Sequence, residues 1–299
     1  MKFAFFPGCV SKGGCPELYQ SVMEVYPRLG LELEEMTTAS CTGAGVLQEK
    51  DLKLGDVLNA RTFALAEQSG LPIMTICSTC QGVMSQANHR LTTDPPYLAA
   101  VNEILGEEGL TYRGTTQIRH FVWILLEELG EQGIRQQVRR PLKNLRAAPF
   151  YGCYLQRPSE ALGFQDQPER ARSLELIMSW LGLEVVDFPG KTRCCGFPLL
   201  TINEKNSLRM VASHTLDAKR HGADILVTPC PLCHLNLDGM QSRAASQQQA
   251  DIDLPIWHLP QLLGLAMGME AKRLGLTRHL VSTQGVLDKL GSAVAKIEA

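Results

Sequence analysis

Residues 191–200 read KTRCCGFPLL and residues 224–234 read DILVTPCPLCH. Between them they hold Cys194-Cys195-Gly196, an interval of thirty-three residues, and Cys230-Pro231-Leu232-Cys233. Upstream, Phe150-Tyr151-Gly152-Cys153 adds a further thiol. Each of these cysteines follows a short apolar run of strand character and sits where Gly or Pro breaks it. Thiols gathered on loops that follow strands point to a metal or iron–sulfur site.

The same order appears earlier in the chain. Lys2–Phe6 (KFAFF) predicts a buried strand that ends at Pro7-Gly8 and Cys9. Pro16-Glu17 opens a helix, since proline suits the first helical position and glutamate the positive end of the dipole. Residues 31–36 alternate as a short strand, and the loop after them carries Cys41-Thr42-Gly43. A helix is predicted over about 51–69 with Gly70 as its C-cap, then a strand over 71–76 that ends at Cys77-Ser78-Thr79-Cys80. Helical sequence follows to about 105, and Thr116 is expected to cap a helix over 117–129.

Cys194, Cys230 and Cys233 lie 153 positions after Cys41, Cys77 and Cys80. Pro168-Glu169 echoes Pro16-Glu17, Leu181-Gly182-Leu183-Glu184 echoes Leu29-Gly30-Leu31-Glu32, and Ile256-Trp257-His258 matches Ile118-Arg119-His120. Echoes in register along the whole chain predict an internal duplication. The expected fold class is α/β: two tandem homologous domains with small parallel sheets flanked by helices. The first cysteine-rich domain is read over 1–134 and the second over 147–299, with a linker of about 135–146. In a parallel sheet the three cysteine loops of each half fall at one carboxyl edge, where ligands gather.

Composition fits this reading. The 299 residues, 44% hydrophobic, can bury a full core, so the ten cysteines are not needed as staples. Net charge is −2 with both signs interleaved, which gives no case for nucleic acid. The chain opens on a strand-like MKFAFFPG without a signal pattern, and its apolar runs fall short of a membrane span. A cytoplasmic protein is expected, with any membrane association made through partners. In a reducing compartment its cysteines are ligands or redox groups. No Gly-x-Gly-x-x-Gly follows a strand, so electrons are expected to come from or go to other chains.

The second half offers five candidate ligands: Cys153, Cys194, Cys195, Cys230 and Cys233. The first offers four, Cys9, Cys41, Cys77 and Cys80, with Thr42 where the second half has Cys195. Zinc and iron–sulfur clusters both accept four thiolates, so spacing alone leaves either open. A fifth thiol beside another ligand has no use in a closed tetrahedral zinc site. The two sites are therefore expected to differ, with the chemistry in the second. Cys15 reads as a small buried hydrophobe. His234 could give a proton near the site, Lys191 and Arg193 could attract an anion, and His120 and His258 read as scaffold at helix starts.

The pattern Cys…Cys-Cys-Gly…Cys-x-x-Cys, present twice, resembles the cysteine-rich CCG domain of heterodisulfide reductase B subunits. The likeness runs from FFPGC to AMGMEAKRLGLTRHLVS. It implies noncubane 4Fe–4S clusters, each held by five cysteines, that act on a disulfide. The second set matches fully, with Cys195 and Cys153 as the residues nearest the chemistry. The first departs at Thr42, so a second iron–sulfur cluster or zinc is expected there. The same resemblance implies a heterodisulfide-reductase-like complex with a ferredoxin-like C-type subunit and a flavin-bearing A-type subunit. Its substrate would be a disulfide, a thiol, sulfane sulfur or a sulfur carrier.

Two rival classes stay open. One is an electron-transfer subunit of a succinate dehydrogenase-like or lactate/glycolate-oxidising complex. For membrane contact it would need an interfacial helix, and residues 284–297 are only mildly amphipathic. The other is a zinc-stabilised binding module.

Overall fold

A computed structural model describes residues 1–291. In the first half, β1 (Lys2–Phe6) leads into α1 (Cys9–Gly13) and α2 (Pro16–Val25), then β2 (Glu32–Glu35). There follow α3 (Leu47–Lys50), α4 (Leu52–Ser69), β3 (Ile73–Thr75), α5 (Ser78–Thr93), α6 (Pro95–Leu105), β4 (Ile118–His120), α7 (Phe121–Ile124) and α8 (Gly130–Gln137). The second half runs β5 (Arg146–Pro149), α9 (Ser173–Trp180), β6 (Glu184–Val185), α10 (Glu204–Arg220) and β7 (Ile225–Thr228). It continues with α11 (Pro231–Gly239), α12 (Gln241–Gln248), β8 (Ile256–His258), α13 (Leu259–Ala266) and α14 (Gln284–Lys289).

The strands form two four-stranded sheets in the orders β2-β1-β3-β4 and β6-β5-β7-β8. Every pairing is parallel. Identical order and direction make the duplication a property of the fold. The central strands are sealed on both faces, as crossover helices require: Ile73–Thr75 and Ile225–Thr228 are wholly buried.

The halves share a core. A single apolar cluster runs from Phe5, Leu18, Val22 and Trp123 to Trp257, Leu262 and Leu287. Smaller clusters lie under the outer faces, around Phe63 in the first half and Phe150 in the second. The carboxyl edges of both sheets are thereby held in fixed relation.

Local chemistry sets most boundaries. Asp51 caps α4 by accepting from the Leu54 amide, and Gly70 ends it in the left-handed region at φ 66°. One expectation fails. The segment over 117–129 does not form a single helix capped by Thr116: Ile118–His120 pairs with Ile73–Thr75 as an edge strand. His120 caps the helix instead, accepting from the Val122 amide at 3.2 Å, while the Thr116 hydroxyl donates to Phe63. The run then closes in a π turn over Leu125–Leu129. Of the segment 284–297, Gln284–Lys289 is helical with Val286 and Leu287 buried, and its remainder from 292 lies outside the described residues. Among the described residues no helix is long and apolar enough to cross a membrane.

Candidate metal centres at the sheet edges

All three cysteine loops of each half follow the carboxyl ends of their strands. In the second half Cys153 lies in the turn after β5, Cys194 and Cys195 in the loop after β6, and Cys230 caps α11 just beyond β7. Cys233 occupies the first turn of the same helix. Gly152 brings the Cys153 turn against this helix: it sits at φ 68°, and a Cβ there would lie 2.8 Å from Cys233 Sγ. The Cys195 loop is fixed from behind by the Asn236 amide, which donates to the Cys195 carbonyl at 2.8 Å.

These five thiols form one connected set. Cys153 hydrogen-bonds Cys194, Cys194 meets Cys195, Cys195 meets Cys233, and Cys233 meets Cys230. Backbone amides also face the sulfurs: Gly196 N–H donates to Cys194 Sγ at 3.4 Å and Phe197 N–H to Cys195 Sγ at 3.5 Å. Cys194 is held down to about 2, first by hydrogen bonds from the Cys153 and Cys195 thiols and then by the Gly196 amide, against burial. Cys230 is held well below the ordinary thiol range by its bonds from Cys233 and Cys77. Cys153 and Cys195 are pushed up first by their hydrogen bonds to the Cys194 sulfur, and Cys233, whose one proton is shared between two acceptors, by Cys195 and then Cys230. Protein groups alone thus let only part of the set ionise. A multivalent cationic core is what such a donor set fits: it would neutralise all five sulfurs, and their softness suits iron or zinc.

The first half repeats the placement with four sulfurs. Cys9 opens α1 after β1, Cys41 lies in the loop after β2, and Cys77 caps α5 with Cys80 in its first turn. Cys9, though exposed, is pushed up by partial desolvation of its sulfur and then by Cys41, which it hydrogen-bonds. Gly8 sits at φ 79°, and a Cβ there would stand 3.1 Å from Cys80 Sγ. Thr42 occupies the place of the fifth donor; its hydroxyl lies 4.0 Å from Cys80 Sγ. Cys9 and Cys41 are exposed, whereas in the second set Cys195, Cys230 and Cys233 are buried.

The two sets touch, a relation that the sequence did not reveal. The Cys77 thiol hydrogen-bonds Cys230. Thr79 Oγ1 lies 3.4 Å from Cys230 Sγ, and Ser78 Oγ donates to the Pro229 carbonyl at 3.1 Å. An open depression of about 730 Å³ exposes the second set at Cys153 and is lined by Gln86, Tyr154, Arg157, Glu160 and Pro198. Gln86 comes from the first half, so the halves build this opening together.

Other candidates fall elsewhere. Lys191 is paired with Glu175 at 3.0 Å and Asp187 at 2.7 Å, so it does not stand open to an anion. Arg193 is exposed on the loop. His234 is buried, and its ring turns to Cys15, Glu17 and His279. His258 and His120 do serve helix starts, His258 in a capping box with Gln261.

Comparison with known proteins agrees with this architecture. The CCG cysteine-rich domain model matches residues 3–85 and again 147–238. The chain is 31% identical to the B subunit of a ferredoxin:CoB-CoM heterodisulfide reductase from Methanosarcina mazei, across 97% of each. It belongs to the CCG cysteine-rich family of heterodisulfide reductase B subunits. It is also 37% identical to the 8-methylmenaquinol:fumarate reductase membrane anchor subunit of Wolinella succinogenes, over 94% of this chain and 97% of that one. Lactate utilization protein A 1 of Bacillus mycoides is 24% identical over 81% of this chain and 91% of its own length. A crystal structure of a hypothetical protein from Helicobacter pylori shares the fold, with a TM-score of 0.77 at 19% identity. The present chain covers 52% of that chain, and 94% of itself is matched. The relatives named as heterodisulfide or fumarate reductase subunits are, by those names, parts of redox assemblies of more than one subunit.

Proposed function

We propose that this chain is the iron–sulfur subunit of a heterodisulfide-reductase-like complex, acting on a disulfide, thiol or sulfane-sulfur substrate at the second cysteine set. Cys153, Cys194, Cys195, Cys230 and Cys233 would hold a noncubane 4Fe–4S cluster there. Cys9, Cys41, Cys77 and Cys80 would hold a second iron–sulfur cluster or zinc. The two domains would be 1–134 and 147–299. The observation that carries this reading is the open depression lined by Cys153, whose thiol begins the linked set Cys153, Cys194, Cys195, Cys233 and Cys230.

When bound, such a cluster supplies electrons singly to a sulfur–sulfur bond, chemistry that belongs to the cofactor. The chain's own groups do the rest. Tyr154 and Pro198 give the depression apolar walls, and Gln86 and Arg157 offer donors to the polar part of a substrate. The Gly196 and Phe197 amides and the Thr79 hydroxyl hydrogen-bond the sulfurs, which raises the potential of the group they hold. Contact between Cys77 and Cys230 supplies a short route for electrons between the sets. A C-type and an A-type subunit would complete the path.

A second reading, electron transfer to a membrane-bound partner, is favoured by the 37% identity to the fumarate reductase subunit. Anaerobic EPR on wild type and Cys195→Ser tests the first. The expected result is a cluster signal that the serine perturbs and that changes when a thiol or disulfide is added. A signal indifferent to sulfur compounds but reoxidised by fumarate reductase partner subunits would select the second.

A further inference from the structure

Apart from both cysteine sets, four side chains from opposite halves converge in the interior. Cys15 and Glu17 stand at the start of α2, His234 in the first turn of α11, and His258 at the end of β8. All four are buried, and one donor atom from each lies within 4.8 Å of the others.

Their spacing is that of groups arranged about a common centre. Glu17 Oε1 lies 3.5 Å from His234 Nδ1 and 3.8 Å from His258 Nε2, and Cys15 Sγ lies 3.7 Å from His234 Nδ1. Both carboxylate–imidazole separations exceed hydrogen-bond length. Ligands about 2.0–2.3 Å from a tetrahedral ion stand about 3.3–3.6 Å apart, close to these values. His258 is 0% exposed, and its Nε2, which faces Glu17, has no hydrogen-bond partner among the described residues. The one cation beside Glu17 among the described residues is Arg278, at 3.8 Å and 54% exposed. Glu17 is thus compensated within the chain by contacts with the two imidazoles that are longer than hydrogen bonds, weak partners for a buried carboxylate.

We propose that Cys15, Glu17, His234 and His258 bind a single zinc ion that ties the two halves together. One thiolate, two imidazoles and a carboxylate form a borderline-soft set that suits zinc and does not suit magnesium or calcium. Binding displaces the Cys15 proton. His234 would bind through Nδ1 and donate from Nε2 to His279 Nδ1 at 3.1 Å, the outer-shell bond usual for a ligating histidine; this puts the His279 proton on Nε2 and requires the Gln261 amide, 2.8 Å away, to turn from it.

Duplication does not account for this set. At the matching points the other half has Gln81 for His234, and exposed Gln167 and Glu169 for Cys15 and Glu17. Only His120 answers His258. The rival arrangement is a metal-free hydrogen-bond chain. Gln261 Nε2 donates to the Leu274 carbonyl and to His279 Nε2 at 2.8 Å, so a chain of hydrogen bonds continues from His279 Nδ1 to His234 Nε2 at 3.1 Å, with His234 Nδ1 facing Glu17 at 3.5 Å. None of the nine cysteines assigned above takes part, so the zinc site and the function of those cysteines stand or fall separately.

The experiment is zinc and iron analysis of the full chain purified anaerobically, with zinc K-edge absorption. Expected is an equivalent of zinc ringed by one sulfur and three nitrogen or oxygen atoms. His258→Asn and Cys15→Ala should each lower zinc at least tenfold and leave iron unchanged. Absence of zinc from wild type supports the hydrogen-bond chain and overturns the proposal. So does zinc ringed by four sulfurs that disappears in Cys77→Ser and persists in His258→Asn. The scattering shell of wild-type zinc decides even if a variant fails to fold.

Discussion

Thr79 Oγ1, on the first half, stands 3.4 Å from Cys230 Sγ, on the second. Cys230 is buried, and after its bonds from Cys233 and Cys77 the threonine is a further group that holds its thiol down. A hydroxyl given to a ligating sulfur stabilises the reduced, more negative state. Thr79→Val keeps the shape and removes that donor. The variant is expected to lower the potential of the cluster proposed for the second site by about 40 mV, the scale of one hydrogen bond of ~1 kcal/mol for a one-electron couple. An EPR-monitored redox titration reads this directly, and an unchanged potential would show that the hydroxyl serves only packing.

Gly82 of α5 lies under Tyr154, next to Cys153. A Cβ on Gly82 would come within 2.6 Å of the Tyr154 carbonyl oxygen and of its ring. The oxygen is backbone and cannot swing aside, so Gly82→Ala must push the Cys153 turn outward, at a cost of about 1–3 kcal/mol. Loss of second-site iron, with the first site retained, is the expected outcome. Metal analysis and EPR on the same sample separate the two sites.

Asp56 is 1% exposed in α4 and receives both a forked pair of bonds from Arg90, at 2.8 and 2.6 Å, and the Tyr97 hydroxyl at 2.9 Å. Arg90 is pushed up by this partner. Asp56→Asn removes the charge partner of a guanidinium that keeps contact with water, and is expected to destabilise the first half by about 1–3 kcal/mol. Pairing Asp56→Leu with Arg90→Met should recover much of that loss, since two apolar groups leave no stranded charge. Urea midpoints of the variants test both statements.

Much of this architecture is legible in the residues. The equal interval from Cys41 to Cys77 and from Cys194 to Cys230 carries the duplication, because a repeated βαβ order fixes how far apart successive loops fall. KFAFF and the strands that end at Cys77 and Cys230 are visible because parallel strands buried on both faces are continuous apolar runs. A single helix over 117–129 is the wrong reading because Ile118-Arg119-His120 is an edge strand of three residues, too short to show a period against the apolar run after it. Contact between Cys77 and Cys230 is illegible for a different reason. It depends on how two homologous halves dock, which is settled by side chains as distant as those of α2 and α13. In sequence His234 looks like a loop polar group near the cysteines; its burial beside Glu17 follows from the same docking.

Thr42 marks the difference between the two sets, and changing it tests whether that one side chain decides it. Its backbone is already placed: the Thr42 carbonyl accepts from Asn59 Nδ2 at 3.1 Å, and its side chain is 3% exposed and faces Cys80. In the second half the equivalent Cys195 sits in the same loop position after β6 and meets Cys194 and Cys233. Thr42→Cys therefore adds a soft donor where geometry already directs a polar atom at the set. The variant is expected to take up additional iron on anaerobic reconstitution and to give a first-site EPR signal like that of the second. Cys195→Thr, the reverse change, should convert the second site toward the first. If Thr42→Cys binds no more iron and its spectrum is unchanged, exposure of Cys9 and Cys41, and not the missing fifth thiol, sets what the first site holds.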